Sequence, residues 1–595
     1  MNPDHSITGL GNKKRSFTWL MFLLLFLVSG ALTFIVHPAK NELTWQGELY
    51  GDRAGYYIYL PAAFLYNFDA TGFPKEISTK IGRGFFINGS GKKFETHYFY
   101  GVALMVSPFF LTTHLISIVL NIDEEHGFSV LYHRMIDIAG VVYLILGLWF
   151  LSKFLRYYLK PKIVFFTILA TFLGTNLMYY GIIENMMSHI YSFFTISAFL
   201  YFMKVFLDKP ERFSYFLLLC LFVGLMLVIR PTNILAATAF LFWDIDSGKE
   251  ILRRIRLIIK PKHLLALVVI VFILVFPQFL FYKYLYGSYT HIRYGAGFSN
   301  WNHPRFAGVW FASLNGLILY APVMIFFLVG GFIMIKKRIP NGWFIAILFL
   351  VVSYIAAAYT FWDYGCGYGH RAFIEFLPVF SVAFGYFAEW LGRVKNLFIR
   401  FSILILIICM VYVNARRTFT YNHFFAGSTW DWEQYIRDLN KSGILIPEKI
   451  PYSFSNDFEN CVLTREENLS DSVNHSGGHS VFLNPEIETA GNTYLNFYEF
   501  TEGIPAIARV SIWCRVDDMH PTGARILFNI ERNGKTISTQ ELKIDSTSRN
   551  PFHWYKVEKS FQVPEQVNSM DRIHCFVYNP DRHSFFIDDL KIKFE

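Results

Sequence analysis

The stretch YFYGVALMVSPFFLTTHLISIVL, from Tyr98 to Leu120, decides the architecture. It is apolar and as long as a bilayer crossing, which takes about 20 residues. Similar runs recur from residue 17 to 415, in a chain of 595 residues that is 53% hydrophobic, 19% aromatic and only 17% charged. Soluble domains carry about 25% charged residues. The expected class is therefore a polytopic α-helical membrane protein. Whether Tyr98–Leu120 crosses fixes the face on which every later loop lies.

The basic loops answer that question. Lys and Arg gather in short clusters between apolar runs: Lys153, Arg156, Lys160 and Lys162; then Lys204, Lys209 and Arg212; then Lys249, Arg253, Arg254, Arg256, Lys260 and Lys262; then Lys336, Lys337 and Arg338; then Arg393, Lys395 and Arg400. Cytoplasmic loops concentrate such residues, so an even number of crossings must separate each cluster from the next. Counting Tyr98–Leu120 as a crossing puts the Lys153 cluster outside and reverses every later loop. A helix lying on or dipping into the outer face restores the pattern. Pro108, His97, His114 and the aromatic content of the stretch suit an interface.

About eleven spans follow from this count: 16–36, 130–152, 162–181, 187–206, 213–229, 232–246, 263–282, 311–335, 342–361, 372–391 and 397–415. The N-terminus is expected inside and the C-terminal region outside. Lys13, Lys14 and Arg15 precede the first run, which reads as an uncleaved span rather than a signal peptide. The net charge of +9 belongs to the inner loops. With no basic tail or nucleic-acid motif, nucleic acid is not an expected partner.

The threading brings four polar segments to the outer face. The long loop 37–129 carries Asp52 within Gly51–Pro61, GDRAGYYIYLP. The turn Gly181–His189 carries Glu184. The segment 283–310 carries His291, Arg293, His303 and Arg305. Trp362–Arg371, WDYGCGYGHR, ends on His370 and Arg371. No Walker A motif, zinc ribbon, G-x-S-x-G elbow or dinucleotide fingerprint is present. A carboxylate can take a proton from a hydroxyl, a cation can stabilise a departing phosphate, and aromatic faces can stack on sugars. The set fits glycosyl transfer from a lipid phosphate. Each residue also has a plainer reading. Asp52 also reads as a helix cap or loop acid, Glu184 as a partner for His189, and Arg371 as a headgroup anchor. Arg230, before Pro231, reads as a surface residue with no special role.

The composition changes after Ala415. Residues 416–449 read as a linker and 450–595 as an all-β sandwich with strands separated by turns. Ala508–Val516 alternates, with Val510, Ile512, Cys514 and Val516 on one face. Asn533-Gly534 lies between two apolar runs, as in a hairpin. Cys461, Cys514 and Cys575 allow at most one disulfide, whose partners the sequence leaves open. The start Asp457-Phe458-Glu459-Asn460, the segment Trp554–Val557 and the ending Phe586–Leu590 give this region a resemblance to jelly-roll carbohydrate-binding modules.

The order of parts in residues 1–415 resembles the GT-C superfamily of membrane glycosyltransferases, which includes protein O-mannosyltransferases and lipid A aminoarabinose transferases. Asp52 opens the first outer loop and the aromatic-Pro stretch Tyr56–Pro61 follows. Lys93, His97 and Tyr98 lead an outer-face helix bearing Pro108-Phe109-Phe110. Glu184 follows the third span, and Gly367–Arg371 precedes a late one. The resemblance implies Asp52 as the catalytic base and Glu184 as a second acid. It also implies a donor-phosphate region at Lys93, His97 and Tyr98, faced by His370 and Arg371. His189, Arg293 and Arg305 join the expected substrate-binding set. The implied donor is a polyprenyl-phosphate sugar, and the acceptor a periplasmic glycan, lipid or protein, with membrane lipids around a site on the outer face of a bacterial inner membrane. The O-mannosyltransferases carry an Asp-Glu pair where this chain has Asp52-Arg53. That departure leaves a protein acceptor and a divalent metal open. Two other classes stand beside this reading: a polyprenyl-linked glycan flippase, which needs charges along the bundle interior, and a non-catalytic scaffold with a glycan-binding β domain.

Overall fold

The computed structural model describes residues 12–37, 49–74, 77, 84–88, 91–120, 126–289, 297–365, 367–421, 432–441, 452–458, 469–497, 500, 504–518, 522–532, 535–544, 550–568 and 571–595. The chain divides into two compact units, Met1–Phe419 and Thr420–Glu595.

The first unit is helical. It begins with α1 (Asn12–Val36), α2 (Asp52–Tyr57), α3 (Tyr59–Phe64), a small ladder of β1 (Phe86–Ile87) and β2 (Phe94–Glu95), and α4 (Gly101–Val119). There follow α5 (Val130–Leu155), α6 (Pro161–Leu173), α7 (Leu177–Ile182), α8 (Ser188–Asp208), α9 (Phe213–Ile229), α10 (Ile234–Ala237), α11 (Ala239–Phe242), α12 (Gly248–Ile258) and α13 (Pro261–Tyr286). The unit closes with α14 (Phe306–Phe311), α15 (Leu317–Tyr320), α16 (Met324–Lys336), α17 (Gly342–Ala358), α18 (Leu377–Gly392) and α19 (Leu397–Thr420). Among the described residues, seven helical segments are long and apolar enough to cross a membrane: α1, α4, α5, α8, α13, Arg371–Gly392 and α19. Shorter apolar helices are α6, α9, the stretch 231–242, α16 and α17.

Several runs expected to be continuous are broken, and side chains satisfy the breaks. The run 162–181 parts between α6 and α7. There Asn414 of α19 donates through Nδ2 to the Leu173 and Thr175 carbonyls at 2.8 and 2.9 Å, and the Leu177 N–H donates to Thr175 Oγ1 at 3.2 Å. In an apolar surround an interrupted helix persists only when its freed backbone groups find such partners. The run 311–335 becomes α14, α15 and α16. Asn315, at φ 58°, sits in the first gap, and its Nδ2 donates to the Asp363 and Gly365 carbonyls. The last helix continues to Thr420 rather than stopping at 415.

Ring contacts give the relative directions. Tyr143 meets Tyr191 and Phe150 meets Tyr201, so α5 and α8 run parallel. Phe194 meets Phe222 and Phe206 meets Phe216, so α9 runs back against α8. The starts of α5 and α8 therefore share a side with the end of α9. Both ends of α4 meet that side. Gly101 lies so close to the end of α9 that a Cβ there would stand 2.3 Å from the Val228 carbonyl, and His114 Nδ1 is 2.8 Å from the Tyr132 hydroxyl near the start of α5.

The second unit contains α20 (Trp432–Lys441) and the strands β3 (Tyr452–Asn456), β4 (Leu469–Ser470), β5 (Ser480–Leu483), β6 (Thr489–Asn496), β7 (Ile507–Arg515), β8 (Arg525–Arg532), β9 (Lys535–Lys543), β10 (Trp554–Gln562), β11 (Arg572–Tyr578) and β12 (Phe585–Phe594). One antiparallel sheet has the order β10-β7-β12-β5-β4, with β3 also on β12, and the other has β6-β11-β8-β9. The alternation of β7 puts Ala508, Val510, Ile512 and Cys514 inside, against Ile526, Phe528, Ile573 and Ile587. The strands β8 and β9 pair with Arg532 opposite Lys535; the Asn533-Gly534 turn between them lies outside the described residues. Cys514 and Cys575 are both buried and form no disulfide among the described residues, and Cys461 lies outside them. Burial pushes the Cys575 thiol up to about 12.

Candidate functional site

Gly51, at φ 59°, turns the chain into α2, and Asp52 is its first residue. Every other residue of this short helix is buried. Arg53 turns away from solvent, donating through Nε to the Tyr50 carbonyl and through Nη1 to the Ile183 carbonyl at 3.5 Å. Tyr56 donates to Ser188 Oγ at 3.0 Å. Gly55 packs flat against the Tyr98 ring, where a Cβ would stand 2.3 Å from it. These contacts leave Asp52 as the residue of α2 that faces outward, with its side chain 35% exposed.

Two donors hold its carboxylate. The Tyr98 hydroxyl donates to Oδ1 at 2.6 Å, and Arg371 Nη2 donates to Oδ2 at 3.2 Å. Burial, and then the Asp52 charge, hold the Tyr98 phenol well above its ordinary value, so it stays protonated and donates. Arg371 is delivered by a turn. Gly369 stands at φ 65°, with Tyr320 Cβ where its own Cβ would go, a conformation and a space suited to glycine. His370 is buried and points away, with Nε2 3.0 Å from the Trp362 carbonyl oxygen. Burial lowers this imidazole to about 4, so it is neutral at physiological pH. Arg371 then reaches a pocket of charge partners formed by Asp52, Tyr180, Glu184 and Tyr98.

Glu184 lies in the turn between α7 and α8 and is 7% exposed. Burial raises its carboxyl above the ordinary range, Arg53 and Arg371 pull it down, and Asp52 adds a like-charge push upward. Asp363 is a further acid near Arg371, raised first by burial; its Oδ1 accepts the Gly365 N–H at 2.9 Å. Asp52, Glu184 and Asp363 thus all feel the Arg371 charge, but of the three only Asp52 is ion-paired with it; Glu184 is buried, whereas Asp52 and Asp363 are partly exposed.

The other expected residues are placed elsewhere. Lys93 Nζ donates to the Tyr284 carbonyl at 2.6 Å and lies over the Tyr284 ring. His97 is exposed beside Phe86. Neither makes a hydrogen bond to Asp52 or Arg371 among the described residues. His189 is fully buried, with Nδ1 3.0 Å from Glu375 Oε1 rather than paired with Glu184. Arg230, read from sequence as a plain surface residue, meets the same Glu375 oxygen at 3.2 Å. Arg305 is exposed and places its backbone N–H on the Ala357 carbonyl. His291 and Arg293 lie outside the described residues. Tyr180 and Asp363 escaped the sequence reading, and Arg53 entered it only as a departure from the Asp-Glu pair. The one available signal was position: Arg53 adjoins Asp52, and Asp363 opens the turn that ends on Arg371.

Among the described residues, no group of three or more His, Cys, Asp or Glu side chains converges on a common point. The metal question raised by Asp52-Arg53 therefore gains no donor set here. Asp52 is ion-paired with Arg371.

No family model matches the chain, and no curated protein matches it. Among solved structures, the archaeal oligosaccharyltransferase AglB from Archaeoglobus fulgidus, determined with an inhibitory peptide and a dolichol-phosphate, is similar at 13% identity and a TM-score of 0.38, over 73% of this chain and 57% of that one. A second Archaeoglobus fulgidus oligosaccharyltransferase structure, with Zn and sulfate, is similar at 13% identity and a TM-score of 0.37, over 71% of this chain and 54% of that one. This chain thus spans a little over half the length of those structures. The CBM22-2 xylan-binding domain of Paenibacillus barcinonensis Xyn10C is similar at 18% identity and a TM-score of 0.19, over 24% of this chain and 99% of that one.

Proposed function

We propose that the chain is an inverting membrane glycosyltransferase that moves a sugar from a polyprenyl-phosphate donor to a hydroxyl or amine acceptor on the outer face of a bacterial inner membrane. The observation that carries this reading is the half-open Asp52 carboxylate, held by the Tyr98 hydroxyl and the Arg371 guanidinium. Asp52 accepts the proton of the acceptor O–H or N–H as the acceptor atom bonds to the anomeric carbon. The bond from that carbon to the phosphate oxygen breaks, and its electron pair leaves on the lipid phosphate. Arg371, beside Asp52, stabilises the charge that develops there. Tyr98 keeps the base aligned, and Glu184 with Arg53 anchors the turn behind it. The acceptor is a glycan, a lipid or a protein.

In the free protein Arg371 is engaged by Asp52. A donor phosphate that takes over the guanidinium releases the carboxylate for the acceptor, so donor binding precedes acceptor activation. The test uses purified protein, radiolabelled polyprenyl-phosphate sugars and a cell-envelope extract. Asp52→Asn, folded and expressed as the parent, is expected to lose transfer by about 100-fold or more, the range of a general base. Transfer unchanged in that variant would remove Asp52 from the reaction.

A further inference from the structure

The basic loop before α13 folds into an element that glycosyl transfer does not use. The helix α12, GKEILRRIRLI, carries three distinct faces. One is turned into the first unit. Arg254 is 3% exposed and Leu257 7%, and Arg254 Nη1 donates to the Phe240 and Trp243 carbonyls at 2.9 and 2.7 Å. A second face is an apolar stripe in the open: Leu252 is 54% exposed, Ile255 38% and Ile259 56%. Their spacing of three and four residues puts them on one line. The third face carries Lys249, Arg253, Arg256 and Lys260, all exposed. Arg253 is held by Glu250 at 2.7 Å; Lys249, Arg256 and Lys260 remain as outward charge.

Its neighbour indicates what covers the apolar stripe. α13 starts at Pro261 and has a mean hydropathy of 2.9, with only 11% of its apolar window buried inside the protein. Such a helix faces lipid along most of its length. The stripe on α12 therefore ends where a lipid-facing helix begins, and its basic face lies beside it. A helix with an apolar stripe flanked by Lys and Arg lies in the headgroup plane and favours anionic lipid.

We infer that α12 is an interfacial anchor whose Leu252-Ile255-Ile259 stripe enters the leaflet beside α13 while Lys249, Arg256 and Lys260 bind anionic phospholipid headgroups. Arg254 clamps this anchor to the bundle, so the leaflet's charge acts directly on the inner end of the helical unit.

The test needs no transfer activity. Cys366, Cys409 and Cys461 are replaced by Ser in the full chain, leaving the buried cysteines, and a bimane label is placed on Leu252→Cys or, for comparison, Lys249→Cys. Each protein is reconstituted in nanodiscs of phosphatidylcholine, or of equal parts phosphatidylcholine and phosphatidylglycerol. The label at position 252 is expected to be quenched by doxyl-labelled lipid and several-fold less by iodide than the label at 249. Equal iodide quenching at both positions would overturn the anchor, and with no other protein present it would indicate a face left to water. Arg256→Glu with Lys260→Glu is expected to reduce doxyl quenching at 252 in the anionic nanodiscs. The same quenching in both proteins would overturn the headgroup assignment.

Discussion

At the residue scale, Asp52 and Arg371 stand 319 positions apart in sequence and meet at 3.2 Å. Each was legible alone, as an acid after the first span and a cation before a late one. Their pairing was not, because no local spacing connects them. Lys93 and His97 sit nearer to Asp52 in sequence and were expected on the donor phosphate, but Lys93 is engaged by the end of α13. Arg53 looked like a break in a known pattern; its side chain is in fact used on the Ile183 carbonyl, beside Glu184. Tyr98→Phe removes one of the two donors to the Asp52 carboxylate, the proposed base. Turnover is expected to fall about tenfold with KM little changed, because a positioning hydrogen bond of about 1.4 kcal/mol is lost at the transition state. Arg371→Lys keeps the charge and loses the planar fork that spans carboxylate and phosphate. Steady-state kinetics are expected to show a raised donor KM and a reduced kcat, whereas an arginine that only anchors to headgroups leaves both constant.

At the element scale, hydropathy located the long apolar helices, because a lipid-facing or bundle-facing helix must be apolar along its length. What they missed are the breaks. The gap between α6 and α7 depends on Asn414, which lies 239 residues beyond Thr175, and hydropathy contains no trace of that bond. The amphipathic α12 was hidden inside a stretch read only as a charge cluster. α4 is the critical element: its composition permits a crossing, yet both its ends meet the same side of the bundle. An interfacial position predicts that a reporter inserted after residue 125 reads as extracytoplasmic, and a cytoplasmic reading would invert the loop assignment. Gly101→Val forces a side chain against the Val228 backbone, which cannot yield as a flexible side chain does. A destabilisation of about 1–3 kcal/mol is expected, read as a lower thermal unfolding midpoint in detergent.

At the scale of the whole molecule, the second unit has its own core, closed between two sheets. The alternation in Ala508–Val516 announced one inner face of that sandwich, but the pairing of β12 with β3, β5 and β7 joins strands from both ends of the domain and was not readable. A fragment spanning Thr420–Glu595 is expected to fold cooperatively alone, and one buried acid within it makes a pH-dependent contribution that a single variant isolates. Asp588 is fully buried and accepts the His475 and Ser476 N–H groups at 2.8 and 3.2 Å. Burial, reinforced by the charge of Asp589, pushes its carboxyl up to about 6, against the pull of those N–H groups. An unfolded aspartate titrates near 3.9. Between the two values Asp588 holds more of its proton in the folded fragment than in the unfolded one, so its contribution to stability falls as pH rises from about 4 to about 6. The loss from Asp588 is at most about 3 kcal/mol. Asp588→Asn cannot ionise and lacks this slope. Chemical denaturation from pH 4 to pH 7 is expected to show the variant gaining on the parent across that window. The difference cancels His574, whose imidazole is lowered by burial and which both proteins share. Parallel stability curves would mean that Asp588 carries its charge at no cost, and that its backbone donors outweigh its burial.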